Sequence, residues 1–137
     1  MTFTAIKPKG FKQPDKRAIA AELERWGAQV ERGAKQYPAW MPWKNTPPKT
    51  GPRKGGRRTG NLGREWTHDI VESGDGPLGR CYNKMGKAPY APFVQGKEKQ
   101  ARAMAKRGWR KIDDIADPIT KETQKRMAKF GAVVVNG

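Results

Sequence analysis

Apolar residues recur at steps of three and four along the first third of the chain: Ile19, Leu23, Trp26, Val30, Ala34 and Tyr37. Glu22, Glu24, Arg25, Glu31, Arg32 and Lys35 fall off that line, so the segment predicts an amphipathic helix of about five turns. Asp15 is its expected N-cap and Pro38 its stop. Further on the period changes from 3.6 to 2. In WTHDIVE (66–72), Trp66, His68 and Ile70 share one face and Thr67, Asp69 and Val71 the other. SGDGP (73–77) is a turn signal, and LGRCYNK (78–84) alternates again, which predicts a β-hairpin. Ile112, Ile115, Ile119, Met127 and Phe130 mark a second amphipathic helix with Gly131 as its C-cap, starting or kinking at Pro118. The valines near the end suit a last strand or a tail.

The stretches between these elements are irregular. Residues 1–14, broken by Pro8, Gly10 and Pro14, are expected to be an extended basic arm that docks through Phe3, Ile6 and Phe11. Residues 38–59 hold five prolines and no apolar period, so a long basic loop is expected there. Residues 85–96 are too rich in proline for a central strand and predict an edge segment or tight turn. Residues 97–111 are expected to be partly helical. The whole reads as one α+β domain over 15–137: a long N-terminal helix, an antiparallel hairpin or small sheet, and a C-terminal helix packed on one face.

Charge sharpens this picture. The 137 residues carry 29 Lys and Arg against 13 Asp and Glu, a formal net charge of +16. Segments 38–65 and 97–111 each hold seven basic residues and one acidic one, whereas the periodic segments are close to neutral. An ordinary core with basic excursions points to acidic partners or phosphates. Cys81 is the only cysteine, so no internal disulfide can form, and a cytosolic origin is expected over a secreted one. No apolar run approaches the roughly 18–20 residues of a membrane span, and the N-terminus lacks the apolar stretch of a signal peptide.

Several candidate chemistries fail on spacing. Gly51 and Gly56 have the interval of a phosphate loop, but Arg57 and Arg58 stand where Lys and Ser/Thr belong. NTPPKT before the loop cannot be the buried strand that aims such amides. His68 and Ser73 are each the only residue of their type, and Cys81 reads as a small buried hydrophobe. Asp113, Asp114 and Asp117 suit a helix N-terminus better than a metal. No enzyme activity and no cofactor, metal or small molecule is expected. Nucleic-acid binding has better support: Arg53, Lys54, Arg57, Arg58 and Arg64, with Lys97, Lys99, Arg102, Lys106, Arg107 and Arg110, could contact many phosphates or an acidic protein surface. No helix-turn-helix, zinc spacing or RNP-like strand accompanies them, so sequence-specific readout is not expected. Trp40, Met41 and Trp43 begin the long loop and need an apolar home, either in the core or on a neighbouring subunit.

Two motifs carry a resemblance. Arg58-Thr59-Gly60-Asn-Leu62 before a strand, then Pro89-Tyr90-Ala91-Pro92-Phe93-Val-Gln-Gly96, resemble in order and spacing the tail-completion, or neck, proteins of long-tailed bacteriophages. Arg107-Gly-Trp109 ahead of the last helix is similar to some members, and the likeness covers about residues 15–130. Gly63 intervenes before Arg64, where many members have Arg directly after Leu. The resemblance implies a small non-enzymatic α+β virion subunit, two helices covering one face of a strand layer. It implies a homo-oligomeric ring, expected as a hexamer, between capsid and tail, built in the host cytoplasm. Its expected partners are neighbouring neck or tail proteins and packaged DNA in the lumen, with no membrane. Trp40, Met41, Trp43 and Trp109, and Trp66 with them, would then anchor neighbouring subunits. The alternative is a small non-specific nucleic-acid-binding protein.

Overall fold

The structure is a computed structural model that describes residues 2–36, 61–73, 76–86, 89, 91–106 and 108–136. Its elements run β1 (Thr2–Lys9), a 3-10 turn (Gln13–Asp15), α1 (Lys16–Ala34), α2 (Asn61–Arg64), β2 (Trp66–Ser73), β3 (Gly76–Asn83), α3 (Ala91–Gln95), α4 (Arg102–Lys106), α5 (Ile112–Met127), a second 3-10 turn (Ala128–Phe130) and β4 (Val133–Asn136). The strands form one sheet in the order β2-β3-β1-β4, every neighbouring pair antiparallel. The hairpin expected from the alternation is present, with Trp66 opposite Asn83 and Ser73 opposite Gly76. Helices α1 and α5 pack on each other and on the same face of the sheet, α1 over β2 and β3, α5 over β1 and β4. This β-α-β-β-α-β order with interleaved strands is the ferredoxin-like arrangement. It hosts many unrelated functions, so function has to be argued from the site.

One stretch differs from the sequence reading. Residues 2–9 are not an arm beside the domain but a central strand of it. Proline at position 8 is what obscures this, because a proline cannot donate to a ladder. The register explains the tolerance: β1 pairs with β3 from Thr2 to Ile6 and with β4 from Ile6 to Lys9. Pro8 therefore lies beyond the β3 ladder, with a partner strand on one side, and its ring is buried.

The apolar stripe of α1 does what its spacing requires. Ile19, Leu23, Trp26, Val30 and Ala34 are fully buried and meet Ile6, Trp66, Cys81, Ile112, Ile115 and Met127 in one core. Each large side chain withdrawn from water there contributes about 1.5–3 kcal/mol. Polar ties fix the helices: the Trp26 indole donates to Thr120 Oγ1 at 3.0 Å, and Arg126 Nε donates to Glu22 Oε2 at 2.6 Å. Asp15 sits before α1, but its side chain makes no capping bond. Helix α5 begins at Ile112, six residues ahead of Pro118, and runs through the proline. Pro118 cannot donate to the carbonyl of Asp114, one helical turn earlier. Arg110 Nη2 donates to that carbonyl instead, at 3.0 Å. Gly131 ends the helical region with φ of 75°, as a C-cap glycine does.

Strand β4 is a sheet edge, and a single side chain trims it. Gln124 of α5 accepts the Val134 N–H through Oε1 and donates through Nε2 to the Ala132 carbonyl. Its amide stands where a further strand would pair.

Candidate functional site

The described motif residues Leu62, Ala91, Pro92 and Gly96 lie at one end of the sheet, at a second and smaller apolar cluster. Leu62 of α2 and Ala91 and Val94 of α3 are buried there, with Met85, Met104 and Trp109 packed against them. Within the segment 85–96, expected to be an edge or tight turn, Ala91–Gln95 form the helix α3. Pro92 is its second residue, where a helix needs no N–H donor, so the proline starts the helix instead of breaking it. Gly96 closes it: its N–H donates to the Pro92 carbonyl at 2.9 Å, and a Cβ at this position would lie 2.3 Å from that same oxygen. Only glycine fits.

Side-chain amides join this cluster to the main core. Gln95, almost wholly buried, accepts the Trp66 indole N–H at 3.0 Å and donates to the Ala34 carbonyl at the end of α1 at 3.2 Å. Asn83 donates to the Leu62 carbonyl and accepts the Met85 N–H. Gln100 Nε2 donates to the carbonyls of Val94 and Trp109, both at 2.8 Å. Among the described residues, every buried side-chain nitrogen and oxygen has a partner.

The charged residues form the rim of this cluster. Lys99, Arg102 and Lys106 are exposed on and around α4, and Arg64 is exposed at the end of α2. Two others turn toward the start of α5: Lys97 Nζ lies 3.2 Å from Asp113 Oδ2, and Arg110 holds the Asp114 carbonyl. The hydrogen bond that Lys97 donates to the Asp113 carboxylate raises the Lys97 pKa. Arg53, Lys54, Arg57, Arg58, Thr59, Gly60, Trp40, Met41, Trp43, Tyr90 and Arg107 lie outside the described residues, and Phe93 is described only as part of α3. Trp66, counted among the surplus tryptophans, is a core residue at 1% exposure, and Trp109 is half-buried against the protein's own second cluster. Two of the side chains expected to reach a neighbour are thus used at least partly within the subunit.

Sequence reasoning missed a clamp around His68. Its Nε2 lies 2.6 Å from Glu24 Oε1 and its Nδ1 3.1 Å from Glu31 Oε1, both carboxylates on α1. Gly27 lies between those glutamates, and a Cβ there would come within 2.7 Å of the His68 ring. The glycine is the seat of the imidazole. Burial opposes the ring's charge, but the bonds to Glu24 and Glu31 outweigh it, so the His68 pKa is raised. For Glu31 burial likewise opposes charge, and His68 and Lys35 more than offset it, lowering the pKa. The signal in the sequence was a glycine inside a strongly periodic helix, where it costs about 1 kcal/mol relative to alanine.

Cys81 faces the core opposite His68 across the hairpin, fully buried. Burial, with the nearby Glu31 charge, pushes its thiol up to about 12, which makes it an inert packing residue. Among the described residues no group of three or more His, Cys, Asp or Glu could hold a metal ion, and no helix is long and apolar enough to cross a membrane. No family model matches the chain, and neither a curated protein nor a solved structure does.

Proposed function

We propose that the chain is a structural subunit of a long-tailed phage virion, completing the tail or joining head to tail as one member of an oligomeric ring. The supporting observation is the convergence of the motif segments. Leu62, helix α3 and Trp109 are separated by up to 47 positions in the chain, yet they build one cluster. Gly96 and Gln95 have steric and hydrogen-bonding reasons to be the residues they are. A motif that constructs a scaffold, with basic residues left on its rim, suits a protein that works by contact with neighbours. The basic segment 38–59, expected to be a loop, lies outside the described residues and is assigned in this reading to an acidic neighbour or to DNA in the lumen.

The test is to tag the chain, produce it during phage assembly and locate it in purified particles by cryo-electron microscopy. Density for a ring at the neck supports the reading. Absence from particles, with a monomer in solution that binds duplex DNA with a steep salt dependence, replaces it with the non-specific nucleic-acid-binding reading.

A further inference from the structure

The two faces of the sheet are furnished differently. On the helix side Gly79 backs onto Leu23 and Trp26. Both long helices lie there, and Gln95 of α3 reaches Trp66 from that side. The residues of β3 that alternate to the other side are half-buried, and two of them form an ordered polar stack. Arg80 donates from Nε and Nη2 to the two carboxylate oxygens of Asp69, at 2.8 and 2.6 Å. Its guanidinium carbon lies 5.2 Å from the centre of the Tyr82 ring, whose hydroxyl is 3.4 Å from Asp69. The fork with Asp69 holds the guanidinium as a flat plate over the phenol ring. The register partner of Arg80 on the adjacent central strand is Ala5. Further along β1 on the same face stand Lys7 and Lys9, opposite Val135 and Val133.

We propose that this far face of the sheet binds single-stranded nucleic acid, Arg80 and Tyr82 stacking against bases and Lys7 and Lys9 meeting phosphates. A four-stranded sheet can stack the bases of a single strand on its aromatic residues, and guanidinium planes serve as stacking surfaces too. The occupant follows from charge and shape. Among the described strand residues the face carries Lys7, Lys9 and Arg80 with one acidic residue, Asp69, on a chain of net charge +16. A second copy would bring the same cations together. An acidic peptide supplies charge but no ring for the plate. A duplex keeps its base faces stacked inside. The proposal goes beyond the ring reading and uses none of the motif-cluster residues.

The experiment uses the full-length chain and fluorescence anisotropy with a labelled single-stranded thymidine dodecamer and a duplex of equal length, across a salt series. Preference for the single strand is expected. Tyr82→Leu should weaken it about fivefold or more, the lower range of one base–aromatic stack, and Tyr82→Phe should restore it. Lys9→Glu, a change at an exposed position that leaves packing alone, should weaken binding and flatten its salt dependence. No binding, equal affinity for the duplex, or binding that is unchanged by Tyr82→Leu and lost when Lys99, Arg102, Lys106 and Arg110 become Ala overturns the proposal. So does self-association through this face that Lys9→Glu abolishes. Ring formation is read separately, by native mass spectrometry without nucleic acid, so the two proposals fail independently.

Discussion

The core beneath the sheet and the cluster at its end are built on opposite principles. Beneath the sheet, side chains from α1, α5 and three strands meet as apolar surfaces, with few polar atoms and wide tolerance for which hydrophobe fills which space. At the end of the sheet, three helices of four or five residues are too short to bury a face by periodicity. They are joined by the amides of Asn83, Gln95 and Gln100 and by one glycine contact. The first region is specified by pattern, the second by identity. A motif of particular residues therefore belongs to the second, and substitutions should act differently in the two.

The largest expected effect is in the main core. Trp26→Ala removes a fully buried ring and leaves Thr120 without its donor. It should cost about 3–5 kcal/mol of global stability, measured by denaturant unfolding. Gln95→Leu keeps most of the volume but orphans the Trp66 N–H and the Ala34 carbonyl, at about 1–3 kcal/mol for each unsatisfied group. Its signature should be local: amides of Gly96, Met104 and Trp109 should exchange with solvent faster while those of β3 do not. Uniform acceleration across the chain would merge the two regions into one cooperative unit.

Gly27→Ala is smaller. In an exposed helix it would stabilise by about 1 kcal/mol, but here the Cβ meets the His68 ring and overpacking should cost about 1–3 kcal/mol. Adding His68→Ala should recover the alanine gain, as a double-mutant cycle would reveal. The smallest effect is that of pH. Glu24 and Glu31 of α1 face His68, with Lys35 beside Glu31 and Asp69 adjacent on β2. Because the histidine's folded pKa is raised, its contribution is complete below the ordinary histidine range. It is lost as pH rises through the raised value. The Glu31 contribution, from a lowered pKa, is present above the ordinary carboxylate range and lost as pH falls from there through the lowered value. A thermal midpoint series should therefore decline on both sides of weakly acidic pH, and His68→Gln should remove the decline on the alkaline side.

Much of the first region was legible along the chain, and little of the second. The stripe from Ile19 to Ala34, the alternation of the hairpin and the Gly131 cap each lie within a single element. Strand β1 was hidden because Pro8 punctuates it and because its partners are β3 and β4, not a neighbour in sequence. Helix α3 was hidden because proline reads as a breaker unless the first turn is already known to begin beside it. The ties of His68 to Glu31 and Glu24 and of Gln95 to Ala34 span 37, 44 and 61 positions. No local pattern encodes such pairs.

The Gln124 amide at the rim of β4 has a consequence for how the chain reaches this structure. Its two targets, Ala132 and Val134, lie only 8 and 10 residues downstream. Closing a loop of that size takes about 10–100 ns, faster than a hairpin forms. The cover thus arrives with the strand it covers, and a nascent or refolding chain has little time in which this edge lies bare to another molecule. Protection against mispairing is encoded by proximity and does not wait for the rest of the fold.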